Sequence, residues 1–195
     1  MNIYPSILFD SGEEAREWVE KAAETGKYSR MQVDFVDGEY ANRPAIEVAG
    51  YEYIKNYSNI KFDAHLMVTE KNIERHVTDC QKFGFDRIIV QMESVASPEK
   101  YNALSLDIHS PVRAIEPFFS KINYVNIMSI EPGFGGQEYL DLVNEKIDFL
   151  NNWRRIKDFR FLICVDGGVE KELLPELEKL GVDEVVVGVK RLLQW

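Results

Sequence analysis

Eight short apolar runs punctuate this chain, separated by polar, charged stretches of helical character. The runs are Ile3–Leu8, Met31–Val36, Ile60–Val68, Arg87–Met92, Leu104–Ile108, Asn123–Met128, Arg160–Val165 and Glu184–Val187. Strands buried on both faces read as near-continuous Val/Ile/Leu runs, and parallel sheets covered by helices bury strands in that way. The helical stretches carry their own punctuation. Gly12 to Thr25 has Ser11 as an N-cap and Gly26 as a stop. Lys71 to Phe83 ends at Gly84, Lys171 to Leu180 ends at Gly181, and a further helix is expected from Glu138 to Trp153. Strand–helix alternation implies right-handed crossovers between parallel strands. Eight such units predict a closed (β/α)8 TIM barrel. At 195 residues the chain is at the short end for that fold, so some helices must be small. The stretch after Met92 and the end after Gly188 are the most reduced.

An internal echo supports the count. Lys82 to Val90 resembles Lys179 to Val187: a helix end, a glycine, a short turn and a strand. The copies lie half a chain apart, as units four and eight of an eightfold barrel would. A single domain over residues 1–195 is expected, because 45% hydrophobic residues suffice for one core. A net charge of −10 argues against nucleic-acid or anionic-membrane partners, yet backbone amides can still bind a small anion. Cys80 and Cys164 show neither disulfide nor metal-ligand spacing. With no secretory leader pattern and no long apolar run, a cytoplasmic location is expected.

In such a barrel, chemistry gathers at the C-terminal ends of strands. Strand two carries Gln32 and Asp34 on one side, strand three His65 and Met67, and strand four Gln91. Strand six ends in Met128 and runs into Ser129-Ile130-Glu131-Pro132-Gly133-Phe134-Gly135-Gly136-Gln137. Glycines lacking Cβ let backbone N–H groups approach an anion, and a following helix adds its N-terminal partial charge. The loop therefore reads as a phosphate cradle, the plain alternative being a flexible turn. Asp166-Gly167-Gly168 after strand seven and Gly188 after strand eight extend it. Asp34 interrupts an apolar strand, where a carboxylate is costly unless paired or bound to metal. Strands two and seven face each other across the barrel. Asp34 and Asp166 on opposite sides of a bound carbon would let one remove a proton and the other return it. A metal between them would stabilise an enediolate, with His65 adding a nitrogen ligand. The plain alternatives are a satisfied buried histidine, a structural acid at Asp34 and turn chemistry at Asp166.

These residues resemble the ribulose-phosphate 3-epimerase family. The likeness runs through Pro5-Ser6-Ile7-Leu8, Gln32 to Gly38, Asp63 to Val68, Met128 to Gln137 and Val165 to Gly168. It implies a barrel of the ribulose-phosphate-binding type that interconverts D-ribulose 5-phosphate and D-xylulose 5-phosphate. By resemblance, Asp34 and Asp166 are the acid/base pair and also metal ligands. His65 and Gln32 complete the metal set, for zinc, iron, manganese or cobalt. Ser6, His65, Met67 and Met128 contact the substrate. Gly133, Phe134, Gly135, Gly136, Gly167, Gly168, Gly188 and Val189 hold its phosphate. The family also implies a small phosphosugar partner and homo-oligomers. The chain departs from the pattern at several points. Gln32 replaces a metal-binding histidine, and Gln91 replaces another histidine. Val36 replaces a methionine, Val189 replaces a serine, and Asp107 to Pro111 replaces an Asn-Pro-x-Thr turn. These departures keep two alternatives open: isomerisation of another phosphosugar such as a hexulose 6-phosphate, and a non-catalytic phosphosugar-binding barrel.

Overall fold

A computed structural model describes residues 1–43 and 46–195. Eight parallel strands close on themselves in chain order: β1 (Asn2–Ile7), β2 (Arg30–Val36), β3 (Lys61–Met67), β4 (Arg87–Gln91), β5 (Ala103–Leu106), β6 (Tyr124–Met128), β7 (Leu162–Asp166) and β8 (Glu184–Gly188). The expected barrel is therefore present. Closure comes from β1 pairing β8, with Ser6 level with Gly188 on one side and Gln32 on the other.

Among the described residues, five α-helices cover the barrel: α1 (Gly12–Glu24), α2 (Glu70–Phe83), α3 (Asn144–Lys157), α4 (Leu174–Leu180) and α5 (Val189–Leu192). Ser11 caps α1 as expected, its hydroxyl accepting from the Glu14 N–H at 3.1 Å. Among the described residues, the units after β2, β4 and β5 carry only 3₁₀ turns, at Val48–Asn56, Met92–Ser94 with Pro98–Lys100, and Val112–Phe118.

The echo is structural. At the end of α2 the Gly84 and Phe85 N–H groups return to Cys80 O, and Asp86 N–H joins Phe62 O of β3. At the end of α4 the Val182 N–H returns to Leu177 O, and Asp183 N–H joins Ile163 O of β7. Each glycine is a left-handed cap that turns the chain into the next strand, and both copies use the same register of bonds.

One sequence expectation fails. The helix expected from Glu138 begins later: residues 137–140 are irregular, Asp141–Val143 form a 3₁₀ turn, and α3 starts at Asn144. Tertiary bonds hold this segment against the strand ends. Leu140 N–H donates to Ser129 O at 3.1 Å, and the Tyr139 backbone packs against Gly168 just beyond β7.

Inside the barrel three layers stack. At the N-terminal end lies a charged floor: Arg30 pairs with Asp63, and Arg87 with Glu184 at 3.0 Å. Above it, Ile89, Ala103, Tyr124, Cys164 and Val186 form an apolar plug. The Arg87 guanidinium lies 3.7 Å from the Tyr124 ring centroid and joins the two layers. The third layer, at the C-terminal mouth, is polar.

Candidate active site

The pleat decides which residues reach the mouth, since only alternate strand positions point inward. Gln32 and Asp34 enter from β2, His65 from β3, Gln91 from β4, Ser105 from β5, Asn126 and Met128 from β6, and Asp166 from β7. Four of these, His65, Gln91, Ser105 and Asn126, are fully buried. A buried polar layer survives only where its members bond one another or a ligand.

Gln32 sits between the two aspartates. Its Nε2 donates to Asp34 Oδ1 and to Asp166 Oδ2, each at 2.7 Å. His65 Nδ1 faces the same two oxygens at 3.5 and 3.4 Å. His65 Nε2 donates to Gln91 Oε1 at 3.1 Å. Asn126 Nδ2 reaches Ser105 Oγ at 3.1 Å and Asp166 Oδ2 at 3.4 Å. Each aspartate thus has one oxygen in this network. Asp34 Oδ2 and Asp166 Oδ1 take no part in it.

The electrostatics follow. Burial raises the pKa of the Asp34 carboxyl, with bonding from His65 opposing and the Asp166 charge adding to the rise. Burial would lower the His65 pKa, but the Asp166 and Asp34 carboxylates facing its Nδ1 lift it to about 10. Two carboxylates so close demand a positive partner, whether an imidazolium or a cation.

The donor set suits a divalent ion. One ligand atom each from Asp34, His65 and Asp166 lies within 4.8 Å of the others. His65 Nδ1 is buried without a hydrogen bond, and so is Gln32 Oε1. A buried imidazole nitrogen without a hydrogen bond, facing two carboxylate oxygens, is what an ion of the zinc or manganese type takes up.

A cleft of about 490 Å³ opens above this layer. It is lined by Ser6, Asp34, Met67, Met128, Gly133 to Gly136, Asp166 to Gly168, Gly188 and Val189. The sequence-predicted substrate residues are therefore brought together, except His65, which lies beneath the cleft with Gln32. The cradle differs from expectation in two ways. The late start of α3 separates its N-terminus from the glycines, so the loop offers backbone amides without a helix behind them. The Gly133 N–H is also turned inward, to Met67 Sδ at 3.1 Å. Gly133 has φ 93°, and a Cβ there would stand 2.6 Å from Ala41 Cβ. Gly168, with φ 66°, packs against the Tyr139 backbone where no side chain fits.

The sequence assigned several residues here no role of their own. Ser105 and Asn126 sit inside apolar runs, and the signal for Asn126 is its place two residues before Met128. Ser129 pins the end of β7: its hydroxyl lies 2.6 Å from Gly167 O and 3.0 Å from Asp166 O. Arg43 reaches across the cleft, donating to Gly133 O at 3.2 Å and pairing with Asp10.

The sequence profile of the Ribulose-phosphate 3 epimerase family matches residues 2–191. The chain belongs to this family. A Bacillus subtilis relative named ribulose-phosphate 3-epimerase is 29% identical over 181 residues, covering 86% of this chain and 82% of the relative. One of the same name from Methanocaldococcus jannaschii is 28% identical over 200 residues, covering 96% and 82%. Among solved structures, a 3-hexulose-6-phosphate synthase superposes with a TM-score of 0.66 at 18% identity, covering 96% of this chain and 90% of that one. Phosphoribosyl anthranilate isomerase from Thermus thermophilus gives 0.59 at 12% identity, covering 96% and 87%. At such identities these two likenesses speak for the barrel alone. No helix among the described residues is long and apolar enough to cross a membrane.

Proposed function

We propose that this protein inverts C3 of a ketopentose phosphate, interconverting D-ribulose 5-phosphate and D-xylulose 5-phosphate. One observation carries the reading. Two aspartates from β2 and β7 line one cleft, and each has an oxygen left outside the network that holds it. Inversion needs that arrangement: a base on one face of a carbon and an acid on the other.

The substrate's phosphate lies on the loop amides of residues 134–136 with Gly167, Gly168, Gly188 and Val189. This places the sugar carbons over the aspartates, beside the Met67 and Met128 sulfurs. One carboxylate removes the C3 proton and becomes a carboxylic acid. The C3–H electron pair passes into an enediolate across C2 and C3. The opposite aspartate, which begins protonated, gives its proton to the other face of C3. Burial raises the pKa of Asp34, the direction that favours its acid form. The two residues exchange roles with the direction of reaction. Asp34, His65, Asp166 and Gln32 would hold a divalent ion, which when bound supplies positive charge toward the enediolate oxygens. His65 is held by Gln91 and steadies both carboxylates, and the close packing of the polar layer keeps bulk water away from them.

The test is isotope exchange. Ribulose 5-phosphate incubated with the protein in deuterated water should gain deuterium at C3, and Asp34→Asn should lose about 10²–10⁴-fold in rate. Absence of C3 exchange in the wild type, with and without divalent metal, would overturn the assignment.

A further inference from the structure

The polar layer at the mouth leaves four buried atoms without partners: Gln32 Oε1, His65 Nδ1, Gln91 Nε2 and Asn126 Oδ1. Gln32 is the instructive one. Both hydrogens of its amide nitrogen are committed, one to each aspartate at 2.7 Å, while its oxygen is buried with no donor. A side-chain amide gives hydrogens only from nitrogen and accepts only at oxygen. In its present orientation Gln32 serves the aspartates. Half a turn about its last bond withdraws both hydrogens. It then presents Oε1 toward the point on which Asp34, Asp166 and His65 converge.

We propose that Gln32 is a two-position clamp. With its nitrogen inward, it holds the two aspartates together in the absence of an ion. With its oxygen inward, it becomes the fourth ligand of a divalent cation held by Asp34, His65 and Asp166. Two carboxylates within 4.8 Å of each other repel unless hydrogens or positive charge lie between them. His65 alone holds them loosely, at 3.4 to 3.5 Å. The Gln32 bonds are short enough to be charge-assisted, and a single nitrogen makes both. An imidazole at this position would present one nitrogen with at most one hydrogen. It would serve one carboxylate and leave the pair dependent on an ion. The clamp also has a cost in affinity: an entering ion must break two charge-assisted bonds and receives an amide oxygen in exchange. The role of the clamp in turnover rests on the epimerase reading. The clamp itself concerns only how the aspartates are held.

Thermal melting and calorimetric titration with Mn²⁺ or Zn²⁺, on the full chain without substrate, test it. The proteins are the wild type, Gln32→Glu and Gln32→His. In chelator, Gln32→Glu should melt at least about 5 °C below the wild type, since it removes both hydrogens and adds a third carboxylate. Adding Mn²⁺ should close most of that gap. Gln32→His should bind the ion at least about tenfold more tightly than the wild type. If Gln32→Glu does not fold, Gln32→Met, similar in length and without hydrogens to give, should show the deficit in chelator. The clamp is overturned if the chelated Glu or Met variant melts with the wild type, if metal fails to restore Gln32→Glu, or if the wild type binds the ion as tightly as Gln32→His. None of these outcomes depends on the sugar, so a negative isotope-exchange result leaves this test intact.

Discussion

Asp34, Asp166 and His65 are expensive residues to bury, and what each residue costs is visible in what surrounds it. Every one of the three is held by an amide: Gln32 for the aspartates, Gln91 for the histidine, Asn126 for Asp166 again. The carboxylates and His65 were legible in the sequence as polar interruptions of apolar strands. That Gln32 donates to both aspartates was not legible, because the side-chain pairing depends on the barrel bringing β2 and β7 together. Glycine positions divide in the same way. Gly168 was legible as part of a turn, but its reason for being glycine, the Tyr139 backbone lying against it, comes from a segment 29 residues earlier. Gly168→Ala should lower stability by about 1–3 kcal/mol, read as a lower denaturant midpoint, since alanine adds left-handed strain as well as the clash.

At the scale of elements, Asp37 does more than its sequence position suggested. It stands just beyond β2, yet its Oδ2 accepts from the Thr69 N–H at 2.7 Å and from Asn72 Nδ2 at 2.9 Å, at the start of α2. Its Oδ1 accepts from the Tyr40 N–H at 2.6 Å. One carboxylate thereby ties the β2 loop to the N-terminus of α2, where negative charge is favoured. Burial opposes ionisation, but the bonds from Asn72, Thr69 and Tyr40 prevail and hold the pKa at about 2, below the ordinary 3.8. A depressed carboxylate contributes stability that is present above the unfolded value and lost as pH falls through the folded one. The wild type should therefore lose this contribution between about pH 4 and pH 2. Asp37→Ala should be less stable by about 1–3 kcal/mol at pH 7 and show a flatter acid limb in urea unfolding. Helix α3 is the opposite case, an element whose start was misjudged. The run from Glu138 has helical composition, but the Leu140 bond to Ser129 O and the packing of the Tyr139 backbone against Gly168 outcompete local propensity.

Over the whole molecule, the barrel interior separates two polar layers by an apolar plug, and the two layers have different tasks. The mouth carries the candidate chemistry. The floor closes the barrel. Burial pushes the Asp63 carboxyl up to about 6, while Arg87 and Arg30 pull it down. Arg87→Met leaves Asp63 and Glu184 short of a cation in a buried site. It should cost about 3–5 kcal/mol in chemical denaturation at pH 7, and adding Glu184→Gln should recover part of the loss. Strand count, closure, the αβ turns after Gly84 and Gly181, and the strand-end acids were all readable in the linear chain, because they rest on short-range patterns: apolar runs, caps, and the period of two. Only the tertiary structure decided the rest. Gly133's N–H turns to a sulfur, the glycine loop stands clear of α3, and Gln32 joins two acids 132 residues apart in the chain. Each depends on which side chains meet when the eighth strand closes on the first, and no local pattern carries that information.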